Sequence, residues 1–403
     1  MNSSSPGPSK TFVLRRAIIA LSAAAFGSGM SMRVADPMLV RLSMDFSIPL
    51  GMAAWVVTVF GLAYGVSQLF FGPLGDRYGK YLVIAWGCVA CAASALLCGL
   101  MNDFFGLLLA RGLAGATAAA VIPLSMAWIG DVVPYEDRQS VLARFLVGQI
   151  LGLSTGVLVG GWCADYLNWR SPFFLIAVWF FVIGLYLIHL NRSLPSHARV
   201  LHKVDGNALA RLVSEFRAIF AVRWARTVLL TVFVEGGLVF VALAFLPTHL
   251  HRVYKLSLSS AGALVMLFGL GGLIFALGSR VLVRRLGEVG LTRYGGALMG
   301  FALLVVAYSP EWWITLPACL CFGLGFYMLH NTLQINATQM APERRGAAVA
   351  AFASCFFLGQ STGVALGGGV LSLISTVHLI AAAGLGVALL GQRFSRQLAL
   401  KTA

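Results

Sequence analysis

Twelve apolar stretches of roughly twenty residues, parted by short polar turns, constrain this chain more than any other feature. They fall near 14–44, 51–72, 81–101, 104–130, 139–163, 172–190, 227–248, 258–279, 293–309, 312–336, 345–370 and 372–392. About twenty apolar residues coiled as helix cross ~30 Å of hydrocarbon. Backbone amides cannot go unpaired in lipid, so each stretch is predicted to be a helix. The two-residue alternation of a membrane barrel is absent. The expected fold is an all-α membrane protein with twelve transmembrane helices. Composition agrees: 59% of residues are hydrophobic and only 11% charged, about half the charge of a soluble domain.

The net charge of +15 raises a nucleic-acid partner, but its placement argues for orientation in a membrane. With both termini on one side, all Lys and Arg lie on that side except Arg33, Arg41, Arg111, Arg170, Arg252 and Lys255. This asymmetry predicts a multi-pass protein of the inner (plasma) membrane with both termini cytoplasmic. The bilayer is the expected partner, with no nucleic acid and a monomeric state. Arg15 and Arg16 precede an apolar run too long for a signal peptide, so an uncleaved first span is expected. Cys88 and Cys91 form a CxxC on an apolar helix without further ligands nearby, which reads as packing. No cofactor and no metal site is expected.

The longest polar segment, 191–226, divides the chain. The predicted units are a tail at 1–12, a six-helix bundle at 13–190, a cytoplasmic linker at 191–226, a second bundle at 227–392 and a tail at 393–403. Apolar residues at helical spacing from Ala208 to Ile219 predict an amphipathic linker helix. The halves repeat: Leu151-Gly152-Leu153-Ser154-Thr155-Gly156-Val157 recurs as Leu358-Gly359-Gln360-Ser361-Thr362-Gly363-Val364. Glu136, Arg138 and Phe145 match Glu343, Arg345 and Phe352 at the same offset, and Gly160-Gly161 matches Gly367-Gly368. Two six-helix bundles related by a pseudo-two-fold axis follow.

Glycines recur every four residues at Gly148, Gly152, Gly156 and Gly160 in span five, with Gly161 beside them. Gly359, Gly363 and Gly367 repeat the stripe in span eleven. Small residues on one face permit close helix approach, and both stripes are expected to pack between the lobes. Between spans two and three lies a charged, glycine-rich turn carrying Gly72, Gly75, Asp76, Arg77, Gly79 and Lys80. Asp76 and its cations can pair with a neighbouring helix end as a latch.

Charges inside apolar runs are expensive and mark function. Glu235 lies ~13 Å into span seven, and Gly236 and Gly237 are expected to leave space beside it. It reads as a protonatable or cation-binding carboxyl, or as a protonated acid bonded to a neighbouring helix. Asp36 and Arg111 each lie ~12 Å from the outer boundary, on spans one and four. Pairing them would offset both desolvation penalties, and protonating Asp36 would release Arg111. Arg33, three residues before Asp36, can share its carboxylate or bind an anionic substrate. Asn331 and Gln334 share a face of span ten near His330 and Asn336, and Trp55, Tyr64 and Gln68 fall in span two; Asn331, Gln334, Trp55 and Tyr64 are further candidates for contacting substrate. Trp312 and Trp313 read as membrane-boundary residues.

On these motifs the chain resembles the major facilitator superfamily, and within it the twelve-span drug–proton antiporters. The turn from Gly72 to Tyr81 is similar to the family pattern Gly-x-Leu-Ala-Asp-Arg-x-Gly-Arg-Lys, with Lys80 and Tyr81 at the last two places. Arg284-Arg285-Leu286-Gly287 echoes it in the second half. Arg111-Gly112-Leu113-Ala114-Gly115 resembles the family's Arg-x-x-x-Gly. Gly156-Val157-Leu158-Val159-Gly160-Gly161 resembles Gly-Pro-x-x-Gly-Gly, with Val157 where antiporters carry Pro. The resemblance implies that spans one, four, seven and ten line a central cavity and that the Asp76 loop meets the start of span eleven near Arg344 and Arg345. It implies a secondary active transporter that exports a small organic molecule by proton antiport, either a drug-like compound or a secreted metabolite such as a siderophore. An importer or facilitator is the alternative on the same fold. A membrane-embedded enzyme or sensor is the alternative of another class; no nucleophile–base cluster, appended soluble domain or phosphate-binding Gly-x-x-x-x-Gly-Lys-Ser/Thr loop appears.

Overall fold

A computed structural model describes residues 8–195, 198 and 208–402. The remainder of the predicted linker, 196–197 and 199–207, lies outside the described residues, as do 1–7 and 403.

The helices, in order, are α1 (Pro8–Arg33), α2 (Leu39–Asp45), α3 (Leu50–Ala53), α4 (Trp55–Tyr78), α5 (Lys80–Leu100), α6 (Phe104–Ala118), α7 (Val121–Val132) and α8 (Tyr135–Tyr166). They continue as α9 (Ser171–Ser193), α10 (Ala208–Ala221), α11 (Arg223–Tyr254), α12 (Leu258–Tyr308), α13 (Thr315–Gln339), α14 (Arg345–Val370) and α15 (Thr376–Thr402). Among the described residues, 11 helical segments are long and apolar enough to cross a membrane. One of them, α12, has 51 residues and changes direction at Gly287, where φ is 61° and ψ −178°. At 1.5 Å per residue α12 is more than twice a bilayer's thickness, so it supplies two spans and the total is twelve. An even count puts the first and last helix ends on one side, here the termini face; the other is the far face.

Two spans are broken. Pro37 interrupts span one, leaving a buried 3-10 turn, Asp36–Met38, between α1 and α2. Span four breaks between α6 and α7. Irregular backbone at this depth survives only inside protein, and Asp36, Pro37 and Met38 are all buried. Span two is longer than its sequence suggested. α4 carries helix through Asp76 and Arg77 to Tyr78, and the turn into α5 is Gly79 alone, with φ 91°. Gly79 and Gly287 both hold a positive φ that disfavours a side chain, so the second-half echo keeps the turn glycine although its charges diverge.

The glycine stripes do not pack between lobes. Methyls at Gly152 and Gly156 of α8 would strike the carbonyl oxygens of Phe26 and Met30 on α1, one at Gly160 that of Val34 just beyond it, and one at Gly148 that of Ser22. In the second half, methyls at Gly359 and Gly363 of α14 would strike backbone of Phe233 and Gly237 on α11, and one at Gly367 the side chain of Val241. Each second-half pair is displaced from its counterpart by the same number of residues, so one helix–helix contact is built twice. The stripes bind span five to span one and span eleven to span seven, inside each lobe. Gly161 differs: its methyl would meet Leu258 of the other lobe.

Contacts between lobes run along the far half. Gly51 and Gly368 touch there. The Asp165 carboxylate at the end of α8 accepts the backbone N–H groups of Leu258 (3.2 Å) and Ser259 (2.6 Å) at the start of α12. Deeper in, Gly262 packs on Val157, Gly269 on Ser154 and Gly65 on Phe357, and the Ser354 hydroxyl donates to the Gly65 carbonyl. A methyl on Gly72 of α4 or Gly346 of α14 would meet nothing within 4 Å. The lobes are held together along their far half.

Candidate substrate and coupling site between the lobes

The broken end of α1 places Arg33 and Asp36 together. Arg33 is the last residue of α1 and Asp36 opens the turn that Pro37 forces, so the chain folds back and the guanidinium meets the carboxylate at 2.7 Å. Both side chains are buried, at 4% and 0% exposure. The guanidinium lies 5.2 Å from the ring centre of Phe240, which comes from α11 in the other lobe. It also lines a narrow inter-lobe cleft with Ser154, Val157, Val265, Phe268 and Tyr327.

Arg111 does not take Asp36 as its ion-pair partner. It is fully buried, donates from Nε to the Val56 carbonyl (3.2 Å) and from an Nη to the Ser31 carbonyl (3.1 Å), and lies 4.2 Å from the Phe60 ring centre. The expected pair fails because the Pro37 break leaves Arg33 nearer to the carboxylate. Arg111 instead ties α6 to α1 and α4.

Glu235 is fully buried on α11, and its Oε2 lies 2.8 Å from His330 Nδ1 on α13. Its Oε1 has no hydrogen-bond partner. The expected space beside Glu235 is filled: a methyl on Gly236 would strike the Phe356 carbonyl, because α14 lies directly on this stretch. The His330 ring stacks on Phe326 at 4.9 Å and 20°, and sits 4.6 Å from Phe356 and 5.5 Å from Phe352. His330 is 18% exposed, so the pair is reached through the imidazole. By the repeat offset, Glu235 corresponds to Ser28 and Phe240 to Arg33. The two lobes share a scaffold and carry different chemistry on it.

The other candidates scatter. Tyr64 is buried with its ring 4.2 Å from Phe357 of the opposite lobe. Trp55 is 44% exposed at the start of α4, near the far face. On α13, Asn331 is half-buried and Gln334 exposed, while Asn336 donates to Glu288 (2.9 Å) at the termini end of the same lobe. Lys80 joins Asp131 of α7 at 2.6 Å and Asp76 at 3.7 Å. The Asp76 pairing therefore stays in the first lobe, and Arg344 and Arg345 are exposed. The His330 partnership and the Asp165 bridge were not anticipated. The available signal was a histidine in span ten and a carboxylate in span seven, both among apolar neighbours.

A doubled six-helix scaffold with charges buried in each half invites comparison with known carriers. The sequence pattern described as "Major Facilitator Superfamily" matches residues 21–364. The chain belongs to that superfamily. Among its relatives is the MFS-type transporter YceJ of Bacillus subtilis (strain 168), 26% identical over 357 residues and covering 87% of each chain. The multidrug export protein EmrB of Haemophilus influenzae is 29% identical over 157 residues, 39% of this chain and 31% of EmrB. A crystal structure of a POT peptide transporter superposes with a TM-score of 0.75 at 15% identity, covering 96% of this chain and 94% of that one. That likeness fixes the fold. Membership makes this chain a multi-pass membrane transporter of small molecules.

Proposed function

We propose that the chain is a secondary active transporter that exports a small organic molecule across the inner membrane by proton antiport, through rocking of its two six-helix lobes. The supporting observation is the Glu235–His330 pair: a fully buried carboxylate on an imidazole that is 18% exposed, joining α11 to α13. Such a pair can hold or release a proton according to which face is open. Arg33 and Asp36 form a second buried pair where the 3-10 turn packs on α8, α11 and α12, so its charge state bears on far-face closure. The termini face is assigned to the cytoplasm on the distribution of Lys and Arg. The 13–190 and 227–392 bundles act as the two rocking units, and the protein works as a monomer. The likeness to multidrug export proteins over part of the chain supports export of a drug-like compound or secreted metabolite.

The test is transport in proteoliposomes with an imposed pH gradient. Antiport requires uphill substrate movement against the proton gradient in the wild type. Glu235→Gln is expected to lose uphill transport while keeping downhill exchange. Undiminished uphill transport by Glu235→Gln contradicts the coupling assignment. Indifference of the wild type to the gradient supports a facilitator, a reading that Val157 in place of proline favours.

A further inference from the structure

We propose that the outer faces of α10, α11 and α15, where spans seven and twelve reach the termini face, form a headgroup site for an anionic phospholipid of that leaflet. The site lies on the outside of the second lobe and does not depend on the direction or driving force of transport.

The outward stripes of these two spans change chemistry at their ends. On α15 the exposed residues Leu385, Leu389, Arg393 and Arg396 follow at three- and four-residue spacing, so they lie along one face. On α11 Arg223, Arg226 and Leu230 are exposed at the same spacing, and Arg223 opens the helix. The leucines suit acyl chains, and the arginines stand where the helices leave the hydrocarbon. The helices are neighbours at this level. The Trp224 ring of α11 stacks on Phe394 of α15 at 5.8 Å and 20°, and the Lys401 ammonium lies 4.5 Å from the centre of the Trp224 ring. α10 joins α11 through Val222 and exposes Val213, Arg217 and Phe220 at helical spacing. A face that mixes a phenyl ring with a guanidinium suits the boundary between headgroups and acyl chains.

Three observations set this surface apart from the general excess of cations on that side. First, its charge is unanswered. Among the described residues, Arg217, Arg223, Arg226, Arg393 and Arg396 form no ion pair. Half-buried Glu215 is the one carboxylate on α10, on the first three turns of α11 or on α15. A lipid phosphate supplies the missing charge, and its oxygens match the paired N–H groups of a guanidinium. Second, the repeat does not demand the cluster. At the repeat offset Arg16 matches Arg223, but exposed Ile19, Tyr186 and His189 stand where Arg226, Arg393 and Arg396 do. The first lobe's own Arg15 and Arg192 fall opposite Val222 and Ala399. Orientation is served by cations anywhere on that side; it does not require four on adjoining outward stripes of one lobe. Third, the indole N–H of Trp224 is buried with no acceptor among the described residues. A phosphate drawn to Lys401 brings acceptor oxygens to that ring.

The experiment is native mass spectrometry of the purified, delipidated full-length protein, titrated separately with phosphatidylglycerol and with phosphatidylcholine of the same chain length. The wild type is expected to bind phosphatidylglycerol about tenfold or more tightly than phosphatidylcholine, each surface cation being worth about fivefold. The triple variant Arg226→Ile, Arg393→Tyr and Arg396→His carries the first lobe's residues. It is expected to lose at least about tenfold in phosphatidylglycerol affinity and to bind phosphatidylcholine as the wild type does. Arg16→Gln, on the first lobe, is expected to keep wild-type affinity for both lipids. Millimolar glycerol phosphate is expected to displace no phosphatidylglycerol, since it lacks the acyl chains. The proposal is overturned if the wild type binds both lipids alike, if the triple variant keeps the preference, if Arg16→Gln is as damaging as the triple variant, or if glycerol phosphate empties the site. Should the triple variant fail to fold, Arg217→Gln with Arg223→Gln removes two cations from the same surface and is read in its place. Thermal unfolding gives a second reading: phosphatidylglycerol is expected to raise the wild-type midpoint more than that of the variant, and equal rises would contradict the site.

Discussion

Arg33 and Asp36 show how one proline governs a site. Pro37 ends α1, and the chain returns its carboxylate to the guanidinium three residues earlier rather than to Arg111 across the helix gap. Each ion is buried, so removing one leaves the other uncompensated, which typically costs about 3–5 kcal/mol. Asp36→Asn is therefore expected to lower the thermal unfolding midpoint markedly. The double replacement Arg33→Met with Asp36→Leu is expected to recover most of the loss, since no lone charge remains. Equal midpoints for the single and double variants would show that the pair is not a closed unit. Intramembrane charge was plain from the sequence, because Asp36, Arg111 and Glu235 interrupt long apolar runs. Their partners were not, because pairing depends on where a helix breaks and how neighbours rotate. Depth along two spans placed Asp36 level with Arg111 but could not show that Arg111 turns toward the carbonyls of Ser31 and Val56.

Helix contacts divide in the same way. A period of four identified a packing face on α8 and α14, yet spacing names no partner, and the partner is α1 or α11 of the same lobe. Gly152→Val and Gly359→Val drive a branched side chain into a carbonyl of the facing helix. Both are expected to abolish monodisperse protein on size-exclusion chromatography. Gly72→Ala and Gly346→Ala, where a methyl meets nothing, are expected to change stability by no more than about 0.5 kcal/mol. Normal yield of the valine variants would contradict the doubled contact. The bridge from Asp165 to the start of α12 is a carboxylate on a helix N-terminus, made across the lobes. Asp165→Asn is expected to lengthen the mean distance between spin labels on the far ends of α8 and α12. An unchanged distance distribution would remove Asp165 from the far-face closure.

Two doubled bundles follow from hydropathy and repeat alone, because every span must satisfy its own backbone in lipid. The direction in which the bundles open does not follow, since alternate states share the contacts inside each lobe and differ only between lobes. Here the lobes touch along the far half, and Asp76 near the end of α4 pairs with Lys80, itself bonded to Asp131, within its own lobe. If Asp76 engages the start of α14 only when the termini face closes, Asp76→Asn slows turnover and leaves substrate affinity near wild type. An unaltered rate would exclude it as a latch. The central claim is that one face closes as the other opens. Spin-label distances read it directly, with one label pair at 72 and 346 on the termini face and another at Met44 and Leu373 on the far face, in a background lacking Cys321 and Cys355. On adding a transported substrate or changing pH, the account requires the first distance to shorten as the second lengthens. Distances that stay fixed under all conditions, or that lengthen and shorten together, would contradict it.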